Sequence, residues 1–374
     1  MRFGHKQFSK LICFVARIIF NIVYSLLLIF LKFAVNAEKG LFDNQLEETQ
    51  IIRKGNNNDL YDVSIIIPVY NSMNTLNLCL DSVCDQVSGY EEKIEVIVVD
   101  DGSTDGSAKI IERYSKRFGF KVIMQQNKGL SGARNSGISL ASGRYLYFLD
   151  SDDYLLPKTI EEFLKWTQSD ADCVQFSFQR INFQRQETGV DRFEDIPSHV
   201  TDVFEEQWSG YPWGKLFRRE LWFPFGFAEG YWFEDTAIPA LIWPRVEKYA
   251  TSSFCAQAYV DNPSGITRSS AYSERSIEHI MILFQLFKEQ DQLGIHRLGA
   301  ASGFWREHIS SKAYGRIRKM RPGFQKKVLH EIHILVALYP EILKPNKFTL
   351  RDRLLSVAIQ KESLIGWTVC SLLG

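Results

Sequence analysis

Residues 143–153 read GRYLYFLDSDD, an apolar run that ends in three carboxylates. Because Tyr and Phe favour strands, we predict a buried strand that closes at Leu149. Asp150, Asp152 and Asp153 then stand together at the point where this strand ends. Packed carboxylates repel one another, so a hard divalent cation such as Mg²⁺ or Mn²⁺ is the natural group to neutralise them.

Three more strands are predicted upstream of this run. The first lies in VSIIIPVYN at 63–71, where Pro68 should stop the strand because proline cannot donate to a β-ladder. The other two are the β-branched segments 94–99 and 121–124. Helical patterns fill the intervals at 75–86 and 107–118.

Polar residues follow each predicted strand. Alternating strands and helices predict a parallel sheet, which binds ligands at the carboxyl ends of its strands. The second strand ends in DDGSTDG at 100–106, where Ser103, Thr104 or Asp105 would cap the next helix. Taken alone, such clusters are also typical of ordinary turns or solvated loops. The glycines at 129, 132 and 137 do not match the dinucleotide-binding pattern GxGxxG.

The order of these segments resembles the family 2 glycosyltransferases, which have a GT-A fold. Four motifs carry the resemblance: PVYN at 68–71, DDGSTD at 100–105, KGLSGARNSG at 128–137 and FLDSDD at 148–153. It covers about residues 63–270. The resemblance implies an α/β fold with a mixed, Rossmann-like sheet flanked by helices.

The resemblance also implies roles for residues at the matching positions. Four residues would line the pocket of the donor's nucleoside: Pro68, Tyr70, Asn71 and Asp100. Asp101 and Arg134 would support that pocket. Mn²⁺ or Mg²⁺ would bridge the donor diphosphate, with Asp152 as the main ligand. Asp150 would face the donor's ribose or sugar, and Asp153 would assist the metal.

A second acidic motif, GYWFEDT at 230–236, is similar to the acceptor-side motif of the family. Asp235 is the predicted general base, with Glu234 beside it. An Asp with an ordinary pKa of about 3.9 is a weak base at neutral pH, so we expect the flanking aromatic residues to raise that pKa by desolvation. The structural alternative is an acid pair that stabilises a helix N-terminus. Lys215 would lie near the diphosphate or hold the acceptor loop, although an isolated Lys is usually a surface charge, and Arg268 is a further candidate.

These parts imply an inverting transfer from a nucleoside-diphosphate sugar to a hydroxyl of a glycan or lipid-linked acceptor in cell-surface glycan synthesis. The sequence contains no Arg-Trp pair, which argues against the processive synthases of the family. Two alternatives stay open: a membrane-bound scaffold that has lost turnover, and a nucleotidyltransferase, which would release pyrophosphate instead of a nucleoside diphosphate.

Composition agrees with an enzyme and excludes some other classes. The chain has 374 residues, 45% of them apolar, and 44 basic residues balance 44 acidic ones. Zero net charge argues against nucleic acid as a general partner, because binding to phosphate backbones favours a basic excess. The six cysteines show neither metal-binding spacing nor a disulfide framework, which is compatible with a reducing compartment.

The N-terminal segment 1–35 is predicted to associate with a membrane. Its polar residues fall on one stripe of a helix, which favours a helix in the plane of the membrane surface. A spanning helix is the alternative, but with the N-terminus inside it would separate the domain from cytosolic sugar nucleotides. We therefore expect the catalytic domain on the cytoplasmic face. A cleaved signal peptide is a further alternative, and residues 36–62 form the predicted linker.

The C-terminal region, residues 271–374, is predicted to be helical. Its basic residues cluster in a stretch without Asp or Glu, namely Lys312, Arg316, Arg318, Lys319, Arg321, Lys326 and Lys327. A solvated helix face explains such a stretch, and contact with anionic lipid headgroups or a lipid diphosphate is the functional alternative.

Overall fold

A computed structural model describes five ranges of the chain: 59–200, 210–262, 273–296, 300–343 and 349–373. The predicted membrane-associated segment 1–35, nearly all of the linker and Arg268 lie outside these ranges. The described residues form two compact units, of which one contains the residues up to 296 together with 312–321. The other unit contains 300–311 and the described residues from 322 onward.

Ten strands of the first unit form one mixed sheet within the described ranges. They are β1 (Tyr61–Val69), β2 (Ile94–Asp100), β3 (Lys121–Met124), β4 (Gly143–Phe148), β5 (Tyr154–Leu155), β6 (Cys173–Asn182), β7 (Glu187–Asp191), β8 (Ile196–Val200), β9 (Lys215–Arg218) and β10 (Lys248–Asp261). The main path runs β3-β2-β1-β4-β9-β6-β10-β5, and β7 and β8 pair with β6 and β10. β1, β2, β3 and β4 are mutually parallel, whereas β9 is antiparallel to both of its neighbours.

Helices flank the sheet. Those of the first unit are α1 (Leu76–Val87), α2 (Ser107–Phe118), α3 (Gly129–Leu140), α4 (Thr159–Trp166) and α5 (Glu278–Leu293), and a short α7 (Ala313–Ile317) follows later in the chain. The second unit contains α6 (Ala300–Glu307), α8 (Pro322–Leu338), α9 (Leu350–Gln360) and α10 (Leu364–Leu372). The predicted α/β fold with a helical C-terminal region is confirmed for the described residues.

Apolar residues on both faces of the central strands bury against these helices. Val63 and Ile65 of β1 belong to a core cluster that also contains Leu80 of α1. On the other face, a Cβ added to Gly137 of α3 would lie 2.4 Å from Ile66 Cγ2. α3 therefore needs glycine at this position because its backbone lies directly against β1.

Two details differ from the sequence predictions. β1 continues past Pro68 to Val69, because its pairing with β4 ends at Ile66 and its pairing with β2 does not need the proline N–H. The residue that precedes α2 is Gly106, with φ of 108°, instead of one of the three predicted caps. Asp105 still serves the helix N-terminus, because its carboxylate accepts from Ser107 N at 3.0 Å.

The first unit extends beyond residue 270, where the sequence predicts a domain boundary. Gln290 of α5 donates to the carbonyl of Ala240 at 2.7 Å and so joins α5 to the segment that precedes β10. The second unit has its own contacts, such as the bond from the Trp367 indole to the carbonyl of Ile309 at 3.0 Å. Within the described ranges, none of the helices is both long and apolar enough to cross a membrane.

Candidate active site

The polar clusters meet at one edge of the sheet. Val69, at the end of β1, pairs with Asp100 at the end of β2. On the other side of β1, Leu149 N donates to Ile66 O at 3.0 Å, so the acidic segment that begins at Asp150 leaves the sheet at the same edge. Parallel pairing brings the three predicted clusters together, as expected for ligand sites in α/β sheets.

The predicted nucleoside side contains a buried acceptor. Asp100 is 1% exposed, and its Oδ1 accepts from Ser103 N at 2.9 Å. Its Oδ2 is buried and has no hydrogen-bond partner among the described residues. A buried, unsatisfied carboxylate oxygen is costly, so this atom fits a site that a ligand's N–H or O–H completes.

Two neighbouring residues shape the entrance to this acceptor. Asn71 adopts a φ of 50°, and its Oδ1 accepts from Thr104 N at 2.8 Å, which ties the end of β1 to the turn after β2. Tyr70 is 52% exposed, so a face of its ring is available to a base. Pro68 is buried in the strand.

Asp101 supports the site from behind. Its buried Oδ1 accepts from Gln125 Nε2 at 2.7 Å and from Lys128 N at 2.8 Å. These bonds fix the loop that leads into α3, the helix that carries Arg134. The predicted role of Asp101 as a support for the donor pocket stays a prediction.

Arg134 joins the two acidic motifs. Its guanidinium is 2% exposed, and it donates to Asp150 Oδ1 through Nη2 and to Glu234 Oε1 through Nη1, both at 2.7 Å. The guanidinium also lies 5.2 Å from the centre of the Phe227 ring. Because a buried Arg between two carboxylates fixes both, the segment after β4 and the later acidic motif share one anchor.

The three carboxylates after β4 have different environments. Asp153 is buried, and its oxygens accept from Val260 N at 2.8 Å and from Gln257 Nε2 at 3.2 Å, which ties it to β10. Asp152 accepts from Asn262 Nδ2 at 3.0 Å. Asp150 pairs with Arg134. Both carboxylate oxygens of Asp153 thus accept hydrogen bonds from β10, whereas Asp150 and Asp152 lie closer to the solvent.

These carboxylates carry unfavourable charge. Burial, followed by the charge of Asp150, raises the pKa of Asp152. Burial and the two neighbouring carboxylates raise the pKa of Asp153 well above its usual range. A bound cation would relieve that repulsion, so the donor set fits Mg²⁺ or Mn²⁺. Among the described residues, three or more His, Cys, Asp or Glu side chains do not converge as a ready-made metal cage.

The later acidic motif forms a short 3-10 turn, which we call the acid turn (residues 233–236). Phe233 begins it with a φ of 67°, a left-handed conformation that is costly for an aromatic residue. This turn presents Glu234 to Arg134 and leaves Asp235 beside it.

Both acids of the turn have raised pKa values. Burial raises the pKa of Asp235, and the charges of Arg316, Arg134 and Lys312 oppose the rise. Burial also raises the pKa of Glu234 against the charge of Arg134, and Asp235 adds to that rise. The predicted upward shift at Asp235 is confirmed in direction. It suits a general base, because a carboxylate with a higher pKa holds a proton more strongly.

For Lys215, the structure removes the alternative of an ordinary surface charge. It is 1% exposed and therefore not a surface charge. Its Nζ donates to the carbonyl of Tyr211 at 2.9 Å, and burial lowers its pKa to about 8. Lys215 thus fixes the backbone at residue 211, where the ring of Tyr211 stacks on that of Trp213 at 4.9 Å.

Several residues that contact the site carry little or no recognisable signal in the sequence. Asn262, Gln257 and Asn135 bind Asp152, Asp153 and the carbonyl of Phe227, respectively. Asn135 lies inside the quoted motif at 128–137, which is the one signal that marks it. Single polar residues on a distant strand leave no pattern in the sequence.

Comparisons with known proteins show to which family the chain belongs. The family model "Glycosyl transferase family 2" matches residues 64–229. The uncharacterized glycosyltransferase EpsJ of Bacillus subtilis is 30% identical over 236 residues, which are 60% of this chain and 67% of EpsJ. EpsH of the same organism is 34% identical over 169 residues, which are 42% of this chain. The chain spans about half of EpsH, 47% of its length.

A solved structure confirms the fold. TarS 1–349 of S. aureus, in complex with UDP-GlcNAc, superimposes with a TM-score of 0.64 at 19% identity. The match covers 83% of this chain and 90% of the TarS chain. Together with the family model and EpsJ, the GT-A-type sheet identifies this chain as a member of glycosyl transferase family 2.

Proposed function

We propose that this protein transfers a sugar from a nucleoside-diphosphate sugar to an acceptor hydroxyl, in one displacement that inverts the anomeric carbon. The observation that carries the proposal is the pair of 2.7 Å bonds from Arg134 to Asp150 and Glu234. These bonds hold one acid of each acidic motif on the same buried guanidinium, which supports a donor site and an acceptor site that lie close together. A single displacement needs the donor and the base within one site in this way.

The donor's nucleoside would occupy the edge formed by β1 and β2. Asp100 Oδ2, which is buried without a hydrogen-bond partner among the described residues, would accept from an N–H or O–H of the nucleoside. The exposed ring of Tyr70 lies two residues beyond the buried Pro68 and offers a face for the base. We take a uridine nucleotide as the first candidate, because the TarS complex contains UDP-GlcNAc.

Asp150 and Asp152 would hold the divalent ion, and Asp153 would keep their segment against β10. Once bound, Mn²⁺ or Mg²⁺ supplies Lewis-acid stabilisation to the departing diphosphate. Arg134 keeps Asp150 oriented toward this side of the site.

Asp235 would accept the proton of the attacking hydroxyl. Glu234 is bound to Arg134 and therefore orients the acid turn, which leaves Asp235 as the base of the pair. Burial raises the pKa of Asp235, which increases its basicity. No covalent intermediate is required.

The acceptor would be a glycan or a lipid-linked sugar in cell-surface glycan synthesis. We propose that segment 1–35 holds the enzyme at the cytoplasmic surface of a membrane. Its apolar residues and basic flanks are suited to that surface, and sugar nucleotides are made on the cytosolic side. A lipid-linked acceptor would be reached from the same surface.

The direct test is turnover with a panel of nucleoside-diphosphate sugars and Mn²⁺, without added acceptor, so that water serves as the acceptor. We expect release of a nucleoside diphosphate with at least one donor, and loss of that release in Asp152→Ala. In a parallel assay, release of pyrophosphate from a nucleoside triphosphate and a sugar 1-phosphate would favour a nucleotidyltransferase. Absence of turnover, with nucleotide binding retained in a thermal-shift assay, would favour the inactive scaffold.

A further inference from the structure

Residues beyond the region of the family match enclose the acid turn. The match ends at residue 229, whereas the acid turn and the two arginines that stack on its aromatic residues lie later in the chain. Two arginines stack on the aromatic residues of this segment: Arg316 lies 3.7 Å from the centre of the Phe233 ring, and Arg275 lies 4.4 Å from that of Trp232. A guanidinium is attracted to the face of an aromatic ring, and this attraction is stronger when the pair is partly desolvated.

The first turn of α5 holds both stacks. Glu278 accepts from Trp232 N at 2.7 Å and pairs with Arg275 at 2.6 Å. His279 is 1% exposed, and its ring meets that of Phe233 edge to face at 5.7 Å. Arg316 donates to His279 Nδ1, which requires that nitrogen to be an acceptor and hence the imidazole to be neutral.

Through Phe233, this packing affects the orientation of the two acids that follow it in the chain. Its φ of 67° is a strained conformation, so surrounding contacts must maintain it. Arg316 covers one part of its ring, and His279 meets another. If Phe233 relaxed, the two acids that follow it would turn away from Arg134.

Arg316 also contributes charge. It is the largest of the cationic influences on Asp235, followed by Arg134 and Lys312. Burial lowers the pKa of Arg316 to about 10, which leaves it protonated at neutral pH. Among the residues that the structure describes, further charged groups near the acid turn are Glu234 within it and the Arg275–Glu278 pair beside Trp232.

We infer that Arg316 is a positioning residue for the general base: with His279, it clamps Phe233 and so sets the place and the charge environment of Asp235. This inference rests on the proposed function and adds a residue to it. The sequence left the basic stretch open between a solvated helix face and contact with anionic lipid, whereas Arg316 of this stretch is partly buried against Phe233.

The test compares Arg316→Gln, Arg316→Lys and His279→Gln with wild type, using donor hydrolysis as a function of pH. Arg316→Gln should lower kcat at least about tenfold, since misplacement of a base by about 1 Å costs up to about 100-fold, with the donor KM nearly unchanged. The acid limb of its pH profile, the range in which kcat falls as the pH falls, should move to higher pH. The reason is that the loss of a cation raises the pKa of Asp235. Arg316→Lys should keep the limb near its original pH and still lose part of kcat, because an ammonium lacks the stacking plane. His279→Gln should lower kcat without moving the limb.

Arg117→Gln is the matched control. Arg117 also stacks on an aromatic ring, that of Phe118 at 4.9 Å, but it lies in the last turn of α2. It should retain wild-type kcat and pH dependence. Wild-type kcat and an unmoved limb in Arg316→Gln would overturn the inference.

Hydrogen exchange separates failure of folding from loss of positioning. In Arg316→Gln, amides of 232–236 should exchange faster while those of β1 and β2 stay protected. Global loss of protection would shift the test to Arg316→Lys, whose kcat must then fall for the inference to stand. The proposed function has its own control: if Asp235→Asn hydrolyses the donor as fast as wild type, that function fails irrespective of Arg316.

Discussion

Asp150 and Glu234 accept hydrogen bonds from the same guanidinium, that of Arg134, each at 2.7 Å. One acid follows β4, and the other lies in the acid turn. Because the guanidinium is buried, neither bond is readily replaced by water, so the two acids are fixed relative to one another. This geometry is the basis of the proposed single displacement.

If Asp235 is the general base, replacing its carboxylate by an amide should strongly lower kcat. Asp235→Asn should lower kcat by about 10²–10⁴-fold, because an amide cannot accept the hydroxyl proton, while the donor KM changes little. In wild type, kcat should fall as the pH falls through the raised pKa of Asp235, since only the carboxylate is a base. The acid limb should therefore lie above the usual Asp range. Steady-state measurement of kcat between about pH 4 and about pH 8 would locate this limb.

A limb at the ordinary pKa of Asp, with full activity in Asp235→Asn, would contradict this role. Glu234→Gln is the matched comparison. It should lower kcat through loss of the bond to Arg134 but leave a measurable acid limb, because Asp235 is still present.

The buried acceptor of the nucleoside edge gives a binding prediction. In Asp100→Asn, either the Ser103 N–H or the ligand meets an amide NH₂ in place of an oxygen. We expect nucleoside-diphosphate affinity to fall about tenfold or more, which corresponds to about 1.4 kcal/mol, measured by calorimetry. Asp105→Asn, a change at the N-terminus of α2, should leave affinity near the wild-type value. Equal affinities in Asp100→Asn and wild type would remove Asp100 from the donor pocket.

Much of the fold follows from local patterns. The predicted ranges 107–118 and 121–124 coincide with α2 and β3, because apolar periodicity and β-branched runs are local signals. The strand ends in D-D-G and D-S-D-D were also recognisable, since parallel pairing gathers such ends at one edge. The start of α3 at Gly129 was not predicted, because its glycines and serines are typical of loops.

The long-range contacts of the site could not be predicted in the same way. The bridge from Arg134 to Glu234 joins residues a hundred positions apart, and no periodicity encodes it. The sequence left Arg316 open between a solvated and a lipid-facing position, because its stacking on Phe233 depends on how α7 packs within the first unit. The sequence left open whether Lys215 is a site residue or a surface charge, because a single Lys carries no signal of burial.

Removal of the metal tests the two kinds of carboxylate after β4. Chelation should abolish donor turnover, and Mn²⁺ or Mg²⁺ should restore it. Asp152→Asn should need at least about tenfold more metal for half-maximal rate, because it loses a ligand charge. Asp153→Asn should instead destabilise the fold by about 1–3 kcal/mol, since its oxygens accept from Val260 N and Gln257. Turnover that persists after chelation would contradict the metal assignment.

Lys215 predicts a pH dependence of stability. Burial lowers its pKa in the folded protein to about 8, below the ordinary value of 10.5. Between these values the unfolded chain binds more protons, so the free energy of unfolding from this group rises with pH. Relative to Lys215→Met, wild type should gain about 2 kcal/mol between pH 7.5 and about pH 9.5 in denaturant titrations. A difference between the two proteins that stays constant with pH would show that Lys215 is not desolvated.

The most direct test of the central claim is a double-mutant cycle on Asp150→Asn and Glu234→Gln, measured as kcat/KM for donor turnover. If both acids act through Arg134, the second substitution should cost much less in the presence of the first, with a coupling of about 1 kcal/mol or more. Arg134→Met should abolish that coupling. Strictly additive losses, in the presence and absence of Arg134, would contradict a site in which one guanidinium holds the donor and acceptor sides together.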